Sequence, residues 1–151
     1  MNRWLIRPIA IVWVVGATVV ACVAQPPTAP VSLDPNAPAI HGTPWLWTNS
    51  SIAGAEVIAD PTKYTLTFAS DGTFSAQVDC NQVSGTFTET EANGITITPG
   101  PSTMAACPEP SLADIYLAGL SSATRVQIAA DRLVLTGPDG EMEFAPTPSP
   151  S

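Results

Sequence analysis

The side chains that could do chemistry are few in this chain, and its three cysteines are the most informative of them. Cys22 follows an apolar segment near the N-terminus, whereas Cys80 and Cys107 lie further along, among polar residues. A thiol can form a disulfide, bind a metal or act as a nucleophile, and its surroundings decide among these uses. A thiol next to an export signal can also carry a lipid. The context of each cysteine therefore sets the first expectations.

Cys22 closes a segment with the layout of a bacterial export signal. Arg3 and Arg7 precede the apolar run 9–20, which has the length of a signal-peptide core and is short for a membrane span. The run ends in Val-Val-Ala-Cys, which resembles a lipobox, where a small residue precedes the lipid-carrying cysteine. We therefore expect residues 1–21 to be a lipoprotein-type signal peptide. We expect Cys22 to be lipidated and to hold the chain on a lipid bilayer through its acyl chains.

Two alternatives stay open for this segment. Cleavage after Ala24 would release a secreted protein, and an uncleaved segment would remain as a helical anchor. All three versions carry the rest of the chain out of the cytoplasm. The expected location is thus the extracytoplasmic face of the cell membrane, with the chain held by a lipid, and secretion is the alternative.

Cys80 and Cys107 remain as a pair once Cys22 is lipidated or removed. An oxidising compartment favours a disulfide between them, which would stabilise the fold by about 3.5 kcal/mol in the chain-entropy model. The alternative is a redox or metal role. The two cysteines have no histidine partners and no Cys-x-x-Cys spacing, so they would be poor zinc ligands. We expect no metal and no cofactor.

The remaining residues that could support catalysis are scattered. The single histidine, His41, lies in a Pro-rich stretch, where we expect it to be solvated. The acid pairs Glu89/Glu91 and Asp71/Asp79 could serve a glycosidase, but they lie in or beside turns, where solvation is the simpler explanation. The sequence therefore favours a protein that is not an enzyme. A secreted hydrolase that uses acidic residues is the alternative.

The charge balance argues against nucleic acid as a partner. The net charge is −8 over 151 residues, and it becomes more negative once the segment with Arg3 and Arg7 is removed. An acidic chain repels phosphate backbones, so the main source of nucleic-acid affinity is missing. We expect the acidity to serve solubility.

Prolines set the limits of the folded part. They recur between Gln25 and Pro44, where they preclude a helix and disfavour a paired strand, so we expect 22–44 to be an extended linker. The last residues repeat this composition, and we expect 146–151 to be a disordered tail. One domain, 45–145, lies between them.

Most of this domain alternates apolar and polar residues, as strands do. The segments 64–68 and 74–78 alternate around Asp71-Gly72, which is typical of a β-hairpin. Further strands are predicted at 82–88, 95–97, 125–128, 132–136 and 141–144.

One segment has a helical period instead. Leu112, Ile115, Tyr116 and Leu120 share one face of a helix, and Ser111 with Asp114 resembles a capping box. The predicted fold is mainly β (α+β). It is a small antiparallel curled sheet or partly open barrel, with one short helix inserted before the last strands.

Several motifs follow one another in a distinctive order. They are Trp47, Tyr64-x-Leu-x-Phe68, Cys80-Asn81, Ser84-Gly85-x-Phe87 and Thr103-Met-Ala-Ala-Cys107-Pro108. This order resembles the META domain, or HslJ-like, family over nearly all of the predicted domain. Two positions depart from the family pattern, because Asp79 replaces the typical glycine before Cys-Asn and Phe87 replaces a tyrosine.

The resemblance implies a compact β-rich domain of bacterial secreted proteins and lipoproteins, in a family with no established enzymatic activity. Some members are associated with stress tolerance or envelope functions. We therefore expect a membrane-anchored, extracytoplasmic lipoprotein that acts as a non-enzymatic binding module or an envelope or stress-related module. Its partner would be an envelope protein or a small ligand. A purely structural envelope protein is a further alternative.

Five residues are candidates for a binding surface, and each also has a structural interpretation. Trp45 and Trp47 lie on one face of the first strand, as an aromatic platform or as core. The Asn81 amide could satisfy backbone groups in a turn, and Gly85 could allow close approach of another backbone. Thr103 could hold the loop that carries Cys107.

Overall fold

The computed structural model describes residues 39–148. The predicted signal peptide, the lipid on Cys22 and most of the predicted linker lie outside these residues. Within the described range, no helix is both long and apolar enough to cross a membrane.

Eight strands and one α-helix form the described part of the chain. The strands are β1 (Trp45–Ser50), β2 (Tyr64–Phe68), β3 (Thr73–Val78), β4 (Asn81–Thr90), β5 (Gly94–Ser102), β6 (Arg125–Ala129), β7 (Arg132–Gly137) and β8 (Gly140–Pro146), and helix α1 (Ala113–Ser122) lies between β5 and β6. Each strand is antiparallel to the next, and β8 pairs with β1, so the sheet closes into a ring. The predicted mainly β fold, with one helix before the last strands, is confirmed.

The number of paired residues differs between the strand pairs of the ring. Strands β3 and β4 pair along their length, from Thr73 opposite Thr86 to Val78 opposite Asn81. Strands β5 and β6 pair only at Gly94 and Arg125. The sheet is therefore a closed ring with one weak junction, close to the predicted partly open barrel.

The core lies inside the ring and beneath α1. Alternate strand residues such as Leu66, Phe68 and Phe144 are fully buried, and α1 adds Tyr116 and Leu120. Period-2 alternation places one side of every strand in this core. The opposite side of the helix faces solvent, so the helix is amphipathic.

The predicted capping box at the start of the helix is wrong. Helix α1 begins at Ala113 with Leu112 in the N-cap position, and no side chain caps it. The Ser111 backbone N–H instead donates to Glu109 Oε2 at 3.2 Å. The Ser111 hydroxyl accepts from the Ala113 N–H at 3.3 Å and lies beside the Asp79 carboxylate. Ser111 therefore contacts neighbouring groups at the start of the helix and does not act as its N-cap.

The folded part begins before residue 45, so the predicted end of the linker is too late. Ile40 packs against the core, and its carbonyl accepts a hydrogen bond from Trp45 Nε1 at 3.1 Å. The Gly42 N–H donates to the Phe68 carbonyl at 2.8 Å. The proline-rich composition hid these contacts, because they depend on distant strands.

The folded part also extends past residue 145. Strand β8 runs to Pro146, and the Thr147 N–H donates to the Pro44 carbonyl at 2.8 Å. The predicted tail therefore starts too early, since its first two residues hydrogen-bond or pair with the start of the domain.

Candidate functional site

Cys80 and Cys107 form a disulfide, as predicted. Cys80 lies in the turn between β3 and β4, and Cys107 lies in the exposed segment between β5 and α1. The bond ties that segment to the β3–β4 turn. Both thiols are consumed, so neither is available as a nucleophile or a metal ligand.

Asn81 and Thr103 fasten the same segment by hydrogen bonds. Asn81 Oδ1 accepts from Thr103 Oγ1 at 3.0 Å and from the Ala105 N–H at 2.8 Å. Asn81 Nδ2 donates to the Ala105 carbonyl at 2.9 Å. Thr103 Oγ1 accepts from the Gln82 N–H at 2.9 Å. These contacts occupy the Asn81 amide and give both residues a structural role beside the disulfide.

Gly85 lies where two strands and an aromatic ring approach closely. A Cβ atom at this position would lie 2.6 Å from Phe74 Cε1 and would collide with the Thr98 carbonyl oxygen. The close approach sits at an irregularity in the pairing of β4 with β5. The absence of a side chain therefore serves packing within the sheet.

The two tryptophans lie in the core, which excludes an exposed aromatic platform. Trp45 and Trp47 are both fully buried. The Trp47 ring packs against Tyr116 at a centroid distance of 5.2 Å and against Tyr64 at 5.6 Å. Such tilted and edge-on aromatic contacts stabilise a core by about 0.5–1.5 kcal/mol each beyond burial.

Asp79 is a buried acid in an unusual backbone conformation. Its φ is +55°, in the left-handed region that glycine tolerates best, which accounts for the family's typical glycine at this position. Its Oδ1 lies 3.1 Å from Lys63 Nζ. The Ser111 hydroxyl and Lys63 hold the pKa of Asp79 below its ordinary value, although Oδ2 has no hydrogen bond of regular geometry. The residue thus ties the β3–β4 turn to Lys63, which directly precedes β2.

Of the acid pairs considered for a glycosidase, Asp71 and Asp79 do not come together. Asp71 and Asp79 flank opposite ends of β3, so they lie about 20 Å apart, beyond the separation used by either class of glycosidase. Glu89 instead contacts His41, with Nε2 and Oε2 3.0 Å apart. Among residues 39–148, no group of three potential metal ligands is found.

The His41 side chain is exposed, as the linker composition predicts, and it also contacts the sheet. It is paired with Glu89, and its ring lies 5.7 Å from the Phe87 ring. An isolated bridge also pairs His41 with Phe68. The histidine therefore fastens the start of the domain to the sheet.

A groove that the sequence did not predict lies on the surface of the sheet. It has a volume of about 490 Å³ and lies on the outer side of β2–β4, beside the disulfide segment. Hydroxyl and amide side chains line it, and none of its lining residues is charged: Thr65, Ser75, Gln77, Gln82, Ser84, Ser102 and Thr103, with Ala76, Val83 and Pro101. Of the predicted candidates, only Thr103 contributes to it.

The groove is part of a wider surface, which we call the uncharged face. It consists of the outward side chains of β2–β5: Thr65, Thr67, Thr73, Ser75, Gln77, Gln82, Ser84, Thr86, Thr88, Thr96 and Thr98. The outward residues of β6–β8 differ, because they include Arg125, Arg132, Glu141 and Glu143. The sequence signal was present, since every second residue of β2, β3 and β4 is Thr, Ser or Gln, and β5 adds Thr96 and Thr98.

These features define a small domain in which an antiparallel β-ring packs against one helix. A disulfide ties the segment before the helix to the β3–β4 turn. A family model of the META domain matches residues 39–149. The chain belongs to the META domain family, as its motifs predicted. A search of the curated proteins found no match.

Solved structures share the fold at low identity. A protein from Burkholderia xenovorans, solved by NMR, is 23% identical with a TM-score of 0.57, over 73% of this chain and 85% of that one. A DUF4847 family protein from Bacteroides vulgatus is 16% identical with a TM-score of 0.54, over 70% and 93%. At this level of identity the likeness is one of fold alone.

Proposed function

We propose that this chain is an extracytoplasmic META-domain protein that is anchored to the membrane by a lipid. It works as a non-enzymatic binding module of the cell envelope, or as a module of the envelope's response to stress. The observation that carries the binding role is the groove beside the disulfide segment, which is built only from uncharged polar and small apolar side chains. A groove of this kind offers hydrogen bonds without a group that could transfer a proton at neutral pH.

Export and the lipid are supported by the N-terminal segment and by the disulfide. The charged start, the apolar run and the small residue before Cys22 fit a lipoprotein signal. The Cys80–Cys107 bond fits an oxidising compartment outside the cytoplasm. Together they favour a displayed domain on a proline-rich linker over a cytoplasmic one.

The alternatives have less support from the described contacts. A hydrolase needs two groups within reach of a substrate, whereas Asp79 is bound to Lys63 and Glu89 to His41. A purely structural role would not require a groove on the outer side of the sheet.

Site-directed photocrosslinking in cells tests the binding role. A benzophenone amino acid replaces Gln82, which lines the groove, in the full-length chain, and the matched control replaces Gln127, which is exposed on β6. We expect a crosslinked adduct at position 82, as a discrete band for a protein partner or as a smear for a polymer, and none at position 127. Equal labelling at both positions, or no adduct at position 82, would contradict a binding role for the groove.

A further inference from the structure

We infer that the uncharged face binds a neutral polysaccharide strand that lies across β2–β5. This inference rests on the binding function proposed above. Three properties of the face point to this class of ligand: the order of its polar groups, their freedom to bond, and the contrast in charge with the rest of the domain.

The polar groups of the face form rows across the sheet. Thr73, Thr86 and Thr98 lie opposite one another on β3, β4 and β5, and Ser75 lies opposite Ser84 in the next row. Adjacent strands are about 4.8 Å apart, so each row presents regularly spaced hydroxyls. A repeating ligand fits a repeating surface better than a compact small molecule does.

Most of these hydroxyls have no partner within the protein. Among residues 39–148, the side chains of Ser75, Ser84, Thr86, Thr96 and Thr98 make no hydrogen bond to another group, whereas Thr73 Oγ1 donates to Asp71. Each free hydroxyl can donate one bond and accept two. Sugar hydroxyls have the same dual capacity, so they can satisfy such groups in either direction.

The amides at one end of the face are already oriented. Gln77 Nε2 donates to the Asp79 carbonyl at 2.7 Å, and Gln82 Nε2 donates to Gln77 Oε1 at 3.4 Å. Gln82 Oε1 remains free as an acceptor among the described contacts. A preorganised amide lowers the entropy cost of binding a hydroxyl.

Charge selects against other ligands. The chain carries 13 acidic against 5 basic residues, so an anionic polymer is repelled. None of the eleven residues of the face carries a carboxylate, and the nearby carboxylate of Asp71 already accepts hydrogen bonds from Thr73. An apolar partner finds no aromatic side chain there, because Tyr64, Phe68, Phe74 and Phe87 point into the core. A neutral, hydroxyl-rich ligand is the class that remains.

Affinity electrophoresis of the full chain in mild detergent tests the inference. The gels contain a neutral polymer, namely dextran, laminarin or hydroxyethylcellulose, or the anionic carboxymethylcellulose, which shares the backbone of hydroxyethylcellulose. We expect retardation by at least one of the three neutral polymers and at least tenfold weaker retardation by carboxymethylcellulose. No retardation by any of the three neutral polymers would overturn the inference.

Charge variants locate the binding surface. Ser84→Glu and Thr86→Glu each place a carboxylate on the uncharged face, whereas Gln127→Glu adds the same charge on β6. We expect the first two to weaken retardation at least tenfold and the third to behave as wild type, with all three variants matched for thermal midpoint. Equal behaviour of all three would overturn the assignment.

The two proposals fail in distinguishable ways. A protein adduct at position 82 together with no retardation by polysaccharide would leave the binding module standing and refute the glycan ligand. No adduct and no retardation would refute both.

Discussion

At the scale of single residues, Asp79 makes the sharpest prediction, because its backbone and its side chain have separate roles. Asp79→Gly removes the carboxylate but suits a φ of +55°, whereas Asp79→Ala removes the carboxylate and keeps the strain. We expect Asp79→Ala to be less stable than Asp79→Gly by about 1 kcal/mol, and both to be less stable than wild type, in urea unfolding. Equal stability of the two variants would contradict the left-handed conformation.

The same residue predicts a dependence on pH. The Ser111 hydroxyl and Lys63 lower the pKa of Asp79 in the folded state, below its ordinary value of 3.8. The stabilisation is therefore fully present above about pH 4 and lost as the pH falls through the lowered folded-state pKa. We expect the urea midpoint of wild type to fall on acidification, and to fall less in Asp79→Asn. Asp71, whose pKa the Thr73 hydroxyl lowers, remains in both proteins and serves as the internal reference.

Residue types alone indicated some of these local roles and missed others. Asn81 directly follows Cys80, and Thr103 precedes Cys107 by four residues, so a role in holding this region could be predicted from their positions in the chain. The pairing of buried Asp79 with the exposed ammonium of Lys63 could not, because the two residues lie in separate connections that only the folded sheet brings together.

At the scale of elements, the disulfide joins the β3–β4 hairpin to the segment before α1. Replacing both Cys80 and Cys107 by serine lengthens the free loop of the unfolded chain, and we expect a loss of about 3.5 kcal/mol in the free energy of unfolding. Chemical denaturation with and without reductant measures it. Reductant should shift the midpoint of wild type and leave that of the double variant unchanged.

The weak junction of the ring predicts where the sheet opens first. Strand β3 pairs on both sides along its length, whereas β6 pairs fully with β7 and with β5 at a single position. We expect peptides that cover β6 to take up deuterium faster than peptides that cover β3 in native-state hydrogen exchange. Uniform exchange around the ring would contradict this order.

Strand alternation made the elements predictable, but not the surface they build. The alternation of apolar and polar residues predicts strands at 64–68 and 125–128, because each strand buries one of its two sides whatever its neighbours are. The uncharged face depends on the register that sets Thr73 opposite Thr86 and Thr86 opposite Thr98. Register is a property of pairs of strands, so reading one strand at a time could not reveal the face.

At the scale of the whole molecule, the anchor at Cys22 is open to a direct test. We expect the wild-type chain to sediment with membranes and to partition into detergent, and Cys22→Ser to lose both properties, because no acyl chain can attach. Ser84→Glu is the matched control, since it should stay with the membrane. A Cys22→Ser chain that remains as membrane-bound as wild type would refute the lipid.

The bond between Thr147 and the Pro44 carbonyl has a consequence for the connectivity of the fold. Because β1 and β8 are neighbours, a short peptide could join these ends, and new termini could be cut in the exposed turn at Ala92 and Asn93. Such a circular permutant would keep every strand pairing and the disulfide. The order of the strands along the chain can therefore change without changing which strands pair in the ring.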